Sequence, residues 1–295
     1  MEPLKRRKDR MNNNKNKKRR KQQLVKAGMV ILFIGLAVLI LIPIYAIFLA
    51  SFKPGGMLVQ YGLNLDIDFK QMSLNNYIVM FFGKHEYWRW FFNSIFLTVA
   101  TVILTLLVSA FVGYGFAAYD FKGKNILFVC VLIILSIPLE VVMLPLYKQM
   151  SEWKIMNSYT AIALPFLAHA STIFFFRQYL MGLPKSLLEA GRIDGATEYG
   201  IFFRIIVPIM KPAFAAMAIL NGMNSWNNYL WPLLVIRSSE KYTLTLGLNT
   251  LLNPYGNNYD LLIVGSFFSI VPIFILFVCF QRYFIEGMTA GAVKG

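Results

Sequence analysis

The feature that most restricts this chain is a run from Ala27 to Ala50 without a charged side chain, preceded directly by a dense basic block. A helix needs about 20 apolar residues to cross a hydrocarbon core. Comparable stretches, almost free of charge, lie at about Trp90–Ala118, Ile126–Tyr147, Tyr159–Leu180, Ile205–Ile236 and Leu261–Phe284. In lipid every backbone N–H and C=O must find a partner inside the protein, and helices supply those partners one span at a time. Of 295 residues 57% are apolar and 15% charged, too few charges to cover a soluble domain of this size. The expected fold is therefore all-α, a polytopic membrane protein with six transmembrane helices.

Charge assigns the sides. The formal net charge of +15 is concentrated in the N-terminal segment, from Lys5-Arg6-Arg7-Lys8 to Lys17-Lys18-Arg19-Arg20-Lys21. Basic residues flanking a first span hold that end in the cytoplasm and attract anionic headgroups. No aromatic-rich binding module accompanies them, so nucleic acid is not the expected partner. Residues 1–25, including Asn12-Asn13-Asn14, are expected to form a disordered cytoplasmic tail. The first apolar run is longer than a signal-peptide core and no A-x-A-like site closes it, so it reads as an uncleaved span. Six spans then place both termini in the cytoplasm. Lys122, Lys124, Lys185, Arg192, Arg204, Arg282 and Lys294 fall on the inside, whereas the long outer loop from about Lys53 to Arg89 mixes both signs. Trp88, Trp90 and Trp231 stand near span ends, where amphipathic rings prefer to sit.

The chain carries no visible set of catalytic or metal-binding residues. Cys130 and Cys279 lack CxxC spacing and read as small apolar packing residues. His85 and His169 are far apart, and His169, inside the fourth span, reads as a neutral ring bonded to a neighbouring helix. Gly113-Tyr114-Gly115-Phe116-Ala117-Ala118 fits G-x-G-x-x-A, but it ends a membrane helix, where small residues serve close packing. Gly123-Lys124-Asn125 lacks the glycine and the hydroxyl of a P-loop. No cofactor is expected on this chain, and no enzymatic activity. Glu140 and Asp260 are the carboxylates near membrane depth, and Arg177 and Lys211 lie where long side chains can reach water. So few buried ionisable groups weaken an ion-coupled transporter.

The fifth span is too long for one straight crossing, and its middle reads Asn221-Gly222-Met223-Asn224-Ser225-Trp226-Asn227-Asn228. Amides and an indole at that depth are costly unless partnered. Asn221, Asn224, Trp226, Asn227 and Asn228 can line a hydrated pathway, hydrogen-bonding a sugar's rim and stacking on its apolar face. The same residue types also serve as interhelical hydrogen-bond glue.

Before that span, about residues 183–204, the sequence runs Leu183-Pro184-Lys185-Ser186-Leu187-Leu188-Glu189-Ala190-Gly191-Arg192-Ile193-Asp194-Gly195-Ala196-Thr197 and reaches Ile205-Ile206-Val207-Pro208. Pro184 suits the first turn of a short helix, Asp194-Gly195 a turn, and Thr197 the cap of a second helix through Glu198. Leu187, Leu188 and Ile193 are then available for docking. An amphipathic loop lying on lipid is the alternative.

This spacing resembles the EAA loop of binding-protein-dependent ABC importer permeases, with glycine at 191 where a second alanine is usual and valine at 207 where leucine is usual. Leu74-Asn75-Asn76-Tyr77, Asn93-Ser94, Ala118-Tyr119-Asp120-Phe121, Trp226-Asn227-Asn228-Tyr229-Leu230-Trp231-Pro232-Leu233 and the tail Gly287–Gly295 resemble the carbohydrate branch, closest to the second permease of maltose-type systems. The resemblance, which starts at about Lys26, implies a type I importer permease in a bacterial inner membrane, forming half of a sugar pathway. It implies a homologous second permease, two ATPase subunits that use ATP and Mg, and a solute-binding protein outside. It also implies that Leu187, Leu188, Glu189, Ala190, Gly191, Asp194, Gly195 and Ala196 form the coupling contact with the ATPase. Import of a polyol phosphate such as glycerol phosphate, or transport without an ATPase, are the alternatives.

Overall fold

The structure is a computed structural model that describes the backbone of residues 2–252 and 258–290 and the side chains of residues 20–252 and 258–282. Its helices are α1 (Glu2–Ala50), α2 (Gly56–Tyr61), α3 (Asn75–Phe82), α4 (Tyr87–Ala118), α5 (Lys124–Leu135), α6 (Leu139–Glu152), α7 (Tyr159–Ala163), α8 (Ala170–Met181), α9 (Ser186–Ile193), α10 (Glu198–Ile201), α11 (Val207–Ile209), α12 (Lys211–Trp226), α13 (Leu230–Val235), α14 (Leu244–Thr250) and α15 (Tyr259–Ala290). No strand occurs among the described residues. The pentapeptide that ends the C-terminal tail, Ala292-Val293-Lys294-Gly295 included, lies outside them.

Among the described residues three helices are long and apolar enough to cross a membrane unaided: α1 from Arg20, α4, and α15 as far as Arg282. The count reaches the expected six when three bent pairs are each taken as one crossing. The pairs are α5 with α6 at 105°, α7 and its following turn with α8 at 42°, and Glu198–Ile209 with α12 at 77°. These crossings bend for local reasons. Proline disfavours helical geometry in the residue before it, and Pro138 is itself extended at ψ 140°. Met210 leaves the helix at ψ 4° between Pro208 and Pro212. His169 is extended at ψ 116° and opens α8. The over-long fifth span resolves in the same way: α12 supplies 16 residues, about 24 Å of rise, and α13 is a separate short helix beyond a break at Asn227–Tyr229.

The basic segment expected to be disordered continues α1 back to Glu2. Lys, Arg and Gln are good helix formers, and beyond Pro3, at the tolerated first turn, no proline or glycine interrupts the segment before Gly28. Among its described side chains α1 packs at its C-terminal end, with Ala46, Leu49 and Ala50 buried and Phe48 against Phe267 of α15 at 5.3 Å.

α4 is the hub of the bundle, packing against α8, α12 and α14. Small residues set its closest approach. A Cβ on Gly113 would stand 2.9 Å from the Phe176 Cβ and 3.1 Å from the Arg177 backbone nitrogen of α8. Gly115, by contrast, faces open space, so the expected packing role belongs to Gly113. The tryptophans also differ from expectation. Trp231 is fully buried and donates to Ala161 O at 2.9 Å, and Trp90 donates to Ser239 O at 3.0 Å. Both serve the core rather than an interfacial belt, because each indole N–H finds a carbonyl inside.

Gly113→Val should wedge α4 from α8, at a cost of about 1–3 kcal/mol for overpacking. Its thermal unfolding midpoint in detergent should fall, while that of Gly115→Val should not. Equal midpoints for the two variants would contradict this seam.

Candidate functional site

The hairpin of residues 183–204 is built as its sequence dictates. α9 ends in a paired turn in which Gly195 N–H donates to Arg192 O at 3.1 Å and Ala196 N–H to Gly191 O at 3.0 Å. Gly195 adopts φ +76°, a left-handed value that glycine takes without steric cost. Thr197 then caps α10, its Oγ1 accepting from Gly200 N–H at 3.1 Å. Pro184 lies two residues before α9 rather than in its first turn. Gly191 is buried, and a Cβ there would meet Ile205 Cδ1 at 2.9 Å and Ile201 Cγ1 at 3.0 Å. Glycine at this position thus lets the two limbs close on each other.

The hairpin's faces divide by exposure. Ile193 is 85% exposed, and Tyr199, which the sequence reading passed over, is 73% exposed. Leu188 packs instead on the buried cluster around Phe176 and Ile206, and Leu187 is half-buried, so neither is as free for docking as expected. Glu189, Ala190, Asp194, Gly195 and Ala196 are exposed. Glu189 borders a cavity of about 360 Å³ between the hairpin and the ends of α4 and α8.

Polar contacts fasten this hairpin to α4. Glu198 Oε1 accepts from Arg192 Nε at 2.8 Å, and Oε2 accepts from Tyr119 Oη at 2.5 Å and Tyr114 Oη at 3.2 Å. The Arg192 hydrogen bond, then that of Tyr119, holds the Glu198 carboxyl down at about 2, so it stays ionised at neutral pH. A depressed carboxyl stabilises the fold fully above its ordinary range near 4.5, and that contribution fades as pH falls toward 2.

The polar segment of α12 opens on a second cavity of about 280 Å³. Asn221, Asn224, Ser225 and Asn228 line it, facing Thr101 and Thr105 of α4, Leu139, Ile162, Phe166 and His169. Trp226 and Asn227 are not brought into it. Trp226 is buried against Phe91 and donates to Ser269 O at 3.1 Å, so its position is that of interhelical glue. Asn227 ends α12, its N–H donating to Met223 O at 3.0 Å. Asn221 combines both roles: its amide donates to Thr172 Oγ1 of α8 at 3.0 Å while bordering the cavity. Thr101 Oγ1 is buried without a partner at the same cavity. The spacing of Thr101 and Thr105, one turn apart on one helix face, was a readable signal.

Other residues fall elsewhere. His169 bonds Ser171 in the first turn of its own helix, at 2.8 Å, rather than a neighbouring helix. Arg177 is half-buried, lies over the Phe128 ring at 3.8 Å and borders the cavity beside the hairpin. Cys130 and Cys279 are exposed on the helix surfaces rather than packed inside. Glu140 is exposed in the first turn of α6, and Asp260 accepts from Gly55 N–H at 2.5 Å. No metal-binding group of His, Cys, Asp and Glu occurs among the described residues.

Comparison with known proteins agrees with this architecture. The sequence profile of the family described as binding-protein-dependent transport system inner membrane component matches residues 109–289. The arabinooligosaccharides transport system permease protein AraQ of Bacillus subtilis is 54% identical over 270 residues, 92% of this chain and 96% of its own length. The lactose transport system permease protein LacG of Rhizobium radiobacter is 36% identical over 222 residues, 75% and 81% of the two chains. In fold, the chain resembles a crystal structure of a bacterial ABC transporter involved in the import of the acidic polysaccharide alginate. The TM-score is 0.76, covering 90% of this chain and 98% of that one at 23% identity. A profile match over more than half the chain, with a relative above half identity along nearly its full length, shows that the chain belongs to the family of binding-protein-dependent transport system inner membrane components.

Proposed function

We propose that this non-catalytic permease subunit forms half of an ATP-driven import pathway for short arabinose-containing oligosaccharides. The observation that carries this reading is the cavity of α4 and α12, lined by three asparagine amides, hydroxyls and one imidazole, with no formally charged side chain among its described lining residues. Uncharged donors and acceptors suit a neutral polyhydroxylated substrate, which exchanges water for side-chain hydrogen bonds without leaving an ion buried. A polyol phosphate would call for a fixed cation, and none lines this cavity. The named substrate of the AraQ relative supplies the finer class.

The partners follow from the family. A homologous second permease completes the pathway, a solute-binding protein delivers sugar from outside, and two ATPase subunits, which bind ATP and Mg, dock beneath the hairpin. In this arrangement both termini face the cytoplasm, and residues 26–295 form the transport domain behind a basic N-terminal segment. The face carrying Ile193 and Tyr199 is the docking surface, with Glu189, Ala190, Gly191, Asp194, Gly195 and Ala196 shaping it. ATP drives transport by binding the outward-facing state more tightly, which shifts the population of permease conformations. Asn221, Asn224 and Asn228 contact sugar on its way through.

The complex assembled in lipid should hydrolyse ATP faster when the binding protein is supplied with arabino-oligosaccharides, and not with glycerol 3-phosphate. Stimulation by the phosphate alone would overturn the substrate class. Asn224→Leu should reduce uptake about tenfold, as expected for loss of one or two hydrogen bonds to substrate, and leave assembly intact. Uptake at the wild-type rate would remove Asn224 from the pathway. Glu189→Lys should release the ATPase subunits during purification, whereas full retention would contradict the docking surface.

A further inference from the structure

We propose that Glu198 is a positioning residue, a clasp that converts displacement of the coupling hairpin into displacement of α4 and thereby of the sugar cavity. The inference rests on the docking reading above and concerns what happens after docking. One carboxylate joins three separate segments: Arg192 of α9, Glu198 itself at the start of α10, and the tyrosines at the cytoplasmic end of α4. Tyr114 is anchored, being 5% exposed within the buried cluster of α4, α8 and α12. Tyr119 is carried on the same chain end, with the Arg192 guanidinium carbon 6.0 Å from its ring.

Apolar contact also joins the hairpin to α4, since Phe202 stacks on Phe111 with centroids 4.4 Å apart. Such contact holds surfaces together without fixing a direction. Charge-assisted hydrogen bonds are short and directional, so the carboxylate determines how α9 is aimed at α4. An amide at position 198 would replace it only in part, because it carries no charge and could pair a tyrosine through its NH₂ only if that hydroxyl turned round to accept. As found, Arg192 and both tyrosines donate to the carboxylate, and a glutamine would face one of these partners with an NH₂.

The rest of the path is a rigid helix. Thr105 and Thr101 border the sugar cavity and lie nine and thirteen residues from Tyr114 on α4, about 14 and 20 Å along its axis. The Gly113 seam with α8 lies beside Tyr114, so a pull on the tyrosines moves the helix pair rather than bending one helix.

The test uses the complete complex in lipid vesicles, with Glu198→Gln, Tyr119→Phe, the double variant, and Asp120→Asn as a nearby carboxylate control that bonds only Lys124. ATPase retention, basal hydrolysis and sugar taken up per ATP are measured together. Glu198→Gln should keep the ATPase and its basal rate, while uptake per ATP falls about five- to tenfold, the scale of a coupling between sites. Tyr119→Phe, which removes one of the three donors to the carboxylate, should fall less, and the double variant should fall less than the product of the two. Asp120→Asn should match wild type. Unchanged uptake per ATP in Glu198→Gln and Tyr119→Phe, multiplicative losses in the double variant, or release of the ATPase by Glu198→Gln would each overturn the clasp. A wild-type complex that retains no ATPase would overturn the docking reading and the clasp with it, whereas intact docking with unchanged uptake per ATP would overturn the clasp alone.

Discussion

Gly113 lets the backbones of α4 and α8 approach to a distance that no side chain would allow, and much of the molecule is arranged about that contact. Helices in lipid gain little from burying apolar surface, because the surrounding tails are equally apolar; close packing and interhelical hydrogen bonds hold them together instead. The α4–α8 seam supplies the first. The second comes from Asn221 bonding Thr172, Trp226 bonding Ser269 and Trp231 bonding Ala161, each closing a different pair of elements. With α4 fixed against α8 and α12, its middle presents Thr101 and Thr105 to the polar cavity, and its C-terminal end presents Tyr114 to the hairpin.

The broken crossings belong to the same logic. A helix interrupted at membrane depth frees backbone groups that lipid cannot satisfy, so breaks are tolerated where they face protein or a hydrated path. The break before α8 brings His169 to the cavity, the bend before α6 brings Leu139, and the end of α12 brings Asn228. The bend at Met210 serves another purpose, since it turns the chain from the hairpin into the membrane. The hairpin therefore projects from the bundle with Ile193 and Tyr199 outward, while Leu188 and Phe202 keep it attached.

Six apolar runs, the hairpin's cap at Thr197 and its turn at Asp194-Gly195 were legible in the sequence because each depends on neighbouring residues alone. The bends were not. Pro138, Pro208 and Pro212 mark where a helix can break, yet the angle depends on what packs on either side. The polar stretch of α12 was ambiguous for a chemical reason: an asparagine or tryptophan in mid-membrane has the same composition whether it faces sugar or a neighbouring helix. Only tertiary position separates Asn224, at the cavity, from Trp226, packed against Phe91. Glu198 reads in sequence as an ordinary first-turn acid, and its bond to Tyr114 spans 84 residues. Resemblance to a known family added what residue patterns lack, namely that such a permease works with partner chains.

The most direct measurement is uptake of labelled arabino-oligosaccharide into vesicles bearing this chain with its partner permease and ATPase, binding protein outside and ATP either enclosed or omitted. The account predicts accumulation with enclosed ATP and none without it, and none when this chain is reconstituted alone. Uptake by the isolated chain, or uptake through the full complex that ignores ATP, would contradict it.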